Sequence, residues 1–291
     1  MIPKIIHYCW FGGNPLPEEA KKCIASWKKY FPFYEIKEWN ESNYDLNVCN
    51  YVREAYEKKK WAFVSDYARF DILYKYGGLY FDTDVEVIRP MDDIIAQGGF
   101  MGLENGDLET LVEASLEIIK DGSRQITSGI GASVAPGLGI AVAPGLRLYK
   151  DILEGYHKRH FVNEDGYMDT YTVCDFVTGY LLRNGITIKE GIAYSSGIKI
   201  YPKDYFCPKD AQTGYLNITD NTRSIHHYSA TWVTPLQQKI YDIERKYMIK
   251  YGKELGYKKS RKATLIYRIL NKLKSKGVIR MIRFVGKKFI R

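Results

Sequence analysis

Two hydrophobic periods alternate along this chain. Lys4–Cys9 and Tyr34–Trp39 have strand character, whereas Pro17–Tyr30 and Val48–Lys59 predict helices. From Ala62 to Tyr76, the residues Phe63, Val64, Tyr67, Phe70, Leu73 and Tyr74 recur at three- and four-residue steps, a third helix, and Gly77-Gly78 stops it. Short apolar runs follow at Leu79–Phe81 and Val85–Ile88. Phe100–Leu103 predicts a strand, Glu104-Asn105-Gly106 a loop, and 108–120 a helix. Ile126–Pro144 is rich in Gly and Ala, and its first half reads as a strand and turn. Helices at Leu146–Tyr156 and Tyr171–Asn184, strands at Ile186–Ile188 and Ile198–Tyr201, and a helix at Pro235–Tyr251 complete the series. Alternating strands and helices imply an α/β fold with a mostly parallel sheet covered on both faces.

The chemistry concentrates where the third helix meets its strand. Asp82 and Asp84 follow the run Gly78-Leu79-Tyr80-Phe81, so two carboxylates sit at a strand's carboxyl end, where open α/β sheets bind ligands. A lone Asp-x-Asp is usually a solvated turn. Two close carboxylates otherwise call for a positive partner, and a divalent cation carrying a diphosphate supplies one. Asp66 and Arg69 are three apart and share a helix face. They read either as a surface ion pair or as a carboxylate for sugar hydroxyls beside a guanidinium for phosphate.

These residues resemble a known family. Ser65-Asp66-x-x-Arg69 followed by Tyr76-Gly77-Gly78-x-Tyr80-x-Asp82-x-Asp84 is similar to the core signature of glycosyltransferase family 32, the sugar transferases containing the DXD motif. Ile2–Gly12 resembles that family's opening strand and loop, and His226-His227-Tyr228-x-x-Thr231-Trp232 resembles its His-His-aromatic-x-x-Ser-Trp stretch, with Thr for Ser. The resemblance covers about residues 1–235. It implies a GT-A-type, Rossmann-like fold and a retaining transfer from a nucleotide-diphospho-sugar, UDP favoured and GDP possible. It also implies Mn²⁺ or Mg²⁺ held by Asp82, Asp84 and His227. His227 is chosen over His226 because adjacent strand residues point oppositely. Trp10 then stacks on the base, Asp66 and Arg69 bind the donor with Tyr80 beside them, and Thr231 and Trp232 close on the diphosphate. Glu104 is the candidate catalytic carboxylate on the acceptor side, with Asn105, Asp169 and Thr170 as further acceptor-side groups.

Charge divides the chain further. Residues 258–291 hold 13 Lys or Arg and no acid, whereas the preceding residues carry 30 basic and 34 acidic side chains, net −4. Leu265, Ile266, Ile269, Leu270 and Leu273 share a helical face there, and Val278, Ile279, Ile282, Val285 and Phe289 form a second apolar set after Gly277, a pattern suited to an anionic membrane surface or to a packed helical hairpin. The acidic body and the lack of any nucleic-acid motif argue against nucleic acid. We therefore expect a catalytic domain over 1–251 and a basic helical tail over 252–291. Five cysteines without a Cys-x-x-Cys, and a first strand in place of a signal sequence, fit a cytoplasmic protein at the inner face of the membrane. The acceptor is then a glycan or lipid-linked oligosaccharide in surface polysaccharide synthesis. Two other readings stand beside this: an inactive membrane-surface scaffold with a transferase fold, and a metal-dependent phosphohydrolase.

Overall fold

A computed structural model describes residues 1–121, 130–169, 171–229 and 234–271. The chain opens with β1 (Ile5–Cys9), α1 (Glu18–Tyr30), β2 (Glu35–Trp39), α2 (Asn50–Glu57), α3 (Trp61–Tyr76), β3 (Gly78–Tyr80) and β4 (Val85–Val87). Next come α4 (Asp92–Ile95), β5 (Phe100–Asn105), α5 (Leu108–Asp121), β6 (Ser133–Val134) and β7 (Ile140–Val142). Then follow α6 (Arg147–His157), α7 (Val173–Arg183), β8 (Thr187–Lys189), β9 (Ile192–Ser195), β10 (Ile198–Tyr201), α8 (Lys203–Phe206) and β11 (Ser224–His226). The last two are α9 (Pro235–Tyr251) and α10 (Lys253–Ala263).

The main sheet runs β2-β1-β3-β7-β5-β10-β9-β8, with β6 paired to β5. Strand β1 is parallel to β2 and β3, β5 is parallel to β10, and β7 runs against both β3 and β5. Hence β1, β2, β3, β5 and β10 share one direction, a largely parallel α/β sheet as the alternating pattern implied. Strands β4 and β11 form a separate antiparallel ribbon.

Helix α3 explains much of this order. Val64, Tyr67, Ala68, Phe70, Ile72 and Leu73 are all buried, so the helix is covered on most sides, as an interior helix must be. Gly77 and Gly78 turn the chain from α3 into β3 with φ of 63° and 103°, which L side chains rarely adopt. A Cβ on Gly78 would stand 2.6 Å from the Ile5 carbonyl oxygen, so β3 pairs closely with β1 only because no side chain is there.

The structure corrects several boundaries. Glu104 and Asn105 lie on β5 and not in a loop, because Asn105 pairs with Ser133 of β6 across a register shift. The second half of the Gly- and Ala-rich segment contains β7, and β9 forms a hairpin with β10. The chain forms two compact units: Met1–Lys209 with Asn217–His227, and Asp210–Leu216 with Tyr228–Arg291. Helices α9 and α10 belong to the second. Among the described residues, no helix is long and apolar enough to cross a membrane.

Candidate active site

In the first unit, β1, β3 and β5 point the same way, so Trp10, Asp82 and Glu104 emerge at one edge of the sheet. Beneath that edge lies Arg69 of α3, its side chain only 4% exposed. Its Nη2 lies 2.9 Å from Asp66 Oδ1 and donates to Asp82 Oδ1 at 3.2 Å, while Nε donates to the Ser65 carbonyl at 3.2 Å. The Tyr80 hydroxyl donates to the same Asp82 oxygen at 3.0 Å, and its ring lies 5.0 Å from the guanidinium carbon. One buried cation thus ties two carboxylates together. Burial opposes the guanidinium's charge, but Asp82, Tyr80 and Asp66 hold its pKa above the usual value. Burial raises Asp66 to about 6 despite the pull of Arg69.

The other face of Asp82 is shaped by a glycine. A Cβ on Gly137 would stand 2.0 Å from Asp82 Oδ2, and the Asp82 amide donates to the Gly137 carbonyl at 3.2 Å. Gly137 of the Gly-rich segment thus lets the backbone lie directly against the first residue of the Asp pair.

Asp84 meets the first histidine of the pair. His226 Nε2 lies 3.2 Å from Asp84 Oδ1. His227 donates its backbone N–H to the Asp84 carbonyl at 2.9 Å, and its ring nitrogen lies 2.8 Å from Glu86 Oε2. The two rings thus meet different carboxylates, Asp84 and Glu86, while the ribbon pairs His226 with Val85. Burial opposes a charge on His226, yet Asp84, then Asp82 and Glu104, raise its pKa.

Glu104 thus stands close enough to bias His226 and the Cys174 thiol of α7, whose pKa burial raises. Asn105 donates to Glu104 Oε2 at 3.4 Å and to the Ser133 hydroxyl at 3.3 Å. Trp10 is half-buried just past β1, its indole N–H donating to the Asn14 carbonyl at 2.6 Å. Asp169 sits apart from the Asp pair's own contacts, held by Arg159 through Nη2 at 2.6 Å and Nε at 3.1 Å. The rings of Tyr51, Tyr156, Tyr171 and Phe176 surround Arg159 at 4.5–5.5 Å. Thr170, Thr231 and Trp232 lie outside the described residues.

The structure thus groups Asp66, Arg69, Tyr80, Asp82, Asp84 and Glu104. It adds His226, Gly137, Cys174 and Arg159, which sequence reasoning did not single out. Only the histidine pair and the Gly-rich run signalled any of these. Among the described residues, no group of three or more His, Cys, Asp or Glu forms a ready metal site.

Residues 17–101 match the family model described as a glycosyltransferase sugar-binding region containing the DXD motif. This segment is therefore similar to the sugar-binding region of that family. Asp66, Arg69, Asp82 and Asp84 all fall inside this region. Inositol phosphoceramide mannosyltransferase 1 of Schizosaccharomyces pombe is 29% identical over 111 residues, 34% of this chain and 33% of that protein. Inositol phosphoceramide mannosyltransferase 3 of the same organism is 32% identical over 102 residues, 32% of this chain and 27% of that protein. The chain thus spans about a third or less of either relative. The solved structure of mouse xyloside xylosyltransferase 1, apo form, is a distant likeness at 10% identity and a TM-score of 0.41, covering 79% of this chain and 99% of that one.

Proposed function

We propose that this protein is a metal-dependent, retaining glycosyltransferase that takes a sugar from a nucleotide-diphospho-sugar. The observation that carries this reading is the chain Asp66–Arg69–Asp82 at the sheet's carboxyl edge, inside the matched sugar-binding region. Asp82, Asp84 and the imidazole beside Asp84 are hard-oxygen and nitrogen donors suited to Mn²⁺ or Mg²⁺. Both ions take further ligands from substrate phosphates, so a few protein donors suffice. Such an ion, when bound, neutralises charge on the diphosphate. Because His227 is engaged by Glu86, we assign the imidazole role to His226.

Arg69 is held in place by two carboxylates, so its charge is pre-oriented for the leaving diphosphate and needs no reorganisation. Asp66 accepts hydrogen bonds from donor hydroxyls, and Trp10 stacks on the base. Attack on the front face, with the leaving phosphate taking the acceptor's proton, retains configuration without a protein nucleophile. Glu104 is the carboxylate placed for the acceptor side. The acceptor we favour is a glycan or lipid-linked oligosaccharide at the cytoplasmic face of a membrane, as in surface polysaccharide assembly. UDP is the favoured carrier. The mannosyltransferase names of the relatives keep a GDP-sugar beside it.

A thermal-shift titration with UDP-, GDP- and dTDP-sugars, with and without Mn²⁺, tests this. One nucleotide class should raise Tm only with metal, by mass action on the native state. Asp84→Asn should abolish the shift, and His226→Asn should weaken metal binding about 10- to 100-fold while His227→Asn changes it little. No shift with any donor would leave the scaffold reading. Free phosphate as the product would leave the phosphohydrolase.

A further inference from the structure

The second unit closes on a seam of small residues. Gly256, Ser260 and Thr264 recur at four-residue steps and are buried, as are Ile240, Glu244 and Met248 on α9. A Cβ on Gly256 would stand 2.5 Å from both Met248 Cα and the Tyr247 carbonyl oxygen, so the two helices touch nearly backbone to backbone. Arg268 pairs with Glu244 and extends the seam into the helical residues 265–271.

This packing leaves the large apolar residues unused. Leu255, Leu265, Ile266, Ile269 and Leu270 are exposed, from 41% at Ile269 to 71% at Ile266. At 3.6 residues per turn, Leu255, Lys258, Lys262, Leu265, Ile266 and Ile269 cover the side opposite the seam. Lys258 and Lys262 are exposed as well. Soluble helices bury such aliphatic sets, and this hairpin buries its small residues in their place.

We propose that this face of residues 255–270 docks on an anionic lipid surface. Leu265, Ile266 and Ile269 enter the headgroup–acyl boundary, and Lys258 and Lys262 meet the headgroups. The alternative of a second copy is disfavoured by charge. A two-fold contact would bring like patches together, and residues 258–291 contain no acid to offset their bases. Anionic headgroups supply the missing sign. The inference stands on the second unit alone and does not depend on the transfer reaction.

Sedimentation of the full chain with vesicles of mixed phosphatidylglycerol and phosphatidylcholine tests it, against vesicles of phosphatidylcholine alone. Binding should require the anionic lipid and weaken with salt. Ile266→Asp with Ile269→Asp should lower partitioning at least tenfold. Lys258→Gln with Lys262→Gln should lower it about 25-fold, about fivefold per lysine. The lysine pair guards against misfolding of the aspartate pair, and an unchanged circular dichroism spectrum checks both. Equal binding to phosphatidylcholine alone, or unchanged binding by both pairs, would overturn the proposal. So would a concentration-dependent dimer abolished by the aspartates, which would assign the face to a second copy. Donor-induced thermal shifts should be the same in all these variants, so this surface and the transfer reading fail separately.

Discussion

Two buried histidines in the first unit have opposite characters. His7, on β1, is 1% exposed. Its Nε2–H donates to the Gly77 carbonyl at 3.0 Å, and its Nδ1 accepts from the Trp39 indole at 3.1 Å. Among the described residues no carboxylate hydrogen-bonds it, and burial lowers its pKa to about 4, assisted by Lys37. His226, on β11, is also largely buried, yet Asp84, Asp82 and Glu104 raise its pKa. Burial alone therefore does not set a histidine's charge; its neighbours do. Neutral dipoles and rings make His7 a fixed brace between β1, β2 and the end of α3. Nearby carboxylates, Asp84 first, favour the charged form of His226.

The largest effect should come from breaking the charged end. Arg69→Met keeps the side chain's length but leaves Asp66 and Asp82 facing each other without their shared cation. Removing one partner of a buried ion pair costs about 3–5 kcal/mol. Chemical denaturation should show a loss of that size, with donor binding abolished. A loss below about 1 kcal/mol would mean that water already reaches both carboxylates.

The neutral end makes a prediction about acid. The pKa of His7 falls from 6.5 to about 4 on folding, so between those values the unfolded chain binds the extra proton. Stability is full above pH 6.5 and falls as pH drops toward 4, by about 3 kcal/mol in all at 1.36 kcal/mol per pKa unit. His7→Gln, which can still donate and accept, should flatten the unfolding free energy over that window. An unchanged slope would assign the acid sensitivity to other groups.

Legibility in the sequence differed between these two ends for physical reasons. Helix α3, its glycine stop and strand β3 were readable because period, Gly-Gly and the Asp pair agree over one contiguous stretch. Asp66, Arg69, Asp82 and Asp84 lie on that stretch, so local geometry nearly suffices to bring them together. The choice between His226 and His227 was not readable. It rests on side-chain contacts made where Ser224–His226 pairs with Val85–Val87, more than a hundred residues apart, and no local signal reports those. Strands β7 and β9 were missed because three- and four-residue strands carry too little pattern to stand out from Gly-rich loops. The roles of His7 and Gly137 rest on contacts with distant segments, and no local signal reports those.

Two glycines sharpen the contrast at the smallest scale. Gly78 lies on the His7 side: a Cβ there would stand 2.6 Å from the Ile5 carbonyl oxygen and 3.1 Å from His7 Nε2, at φ 103°. The obstacle is backbone within a strand pair, which cannot yield, and the conformation is itself unfavourable. Gly78→Ala should therefore cost about 2–3 kcal/mol of stability, combining overpacking with the left-handed strain. Gly137 lies on the Asp82 side, where the obstacle is a carboxylate whose side chain is 31% exposed. That carboxylate can swing away, so Gly137→Ala should cost about 1 kcal/mol or less. Swinging away, however, takes Asp82 off Arg69 and Tyr80 and out of line with Asp84. Metal-dependent donor binding should then fall about tenfold, about 1.4 kcal/mol, while Tm barely moves. Equal losses of Tm in the two variants would show that Asp82 is as rigidly packed as the backbone beside His7. The acidic end would then be a second structural brace and not a site prepared for a ligand.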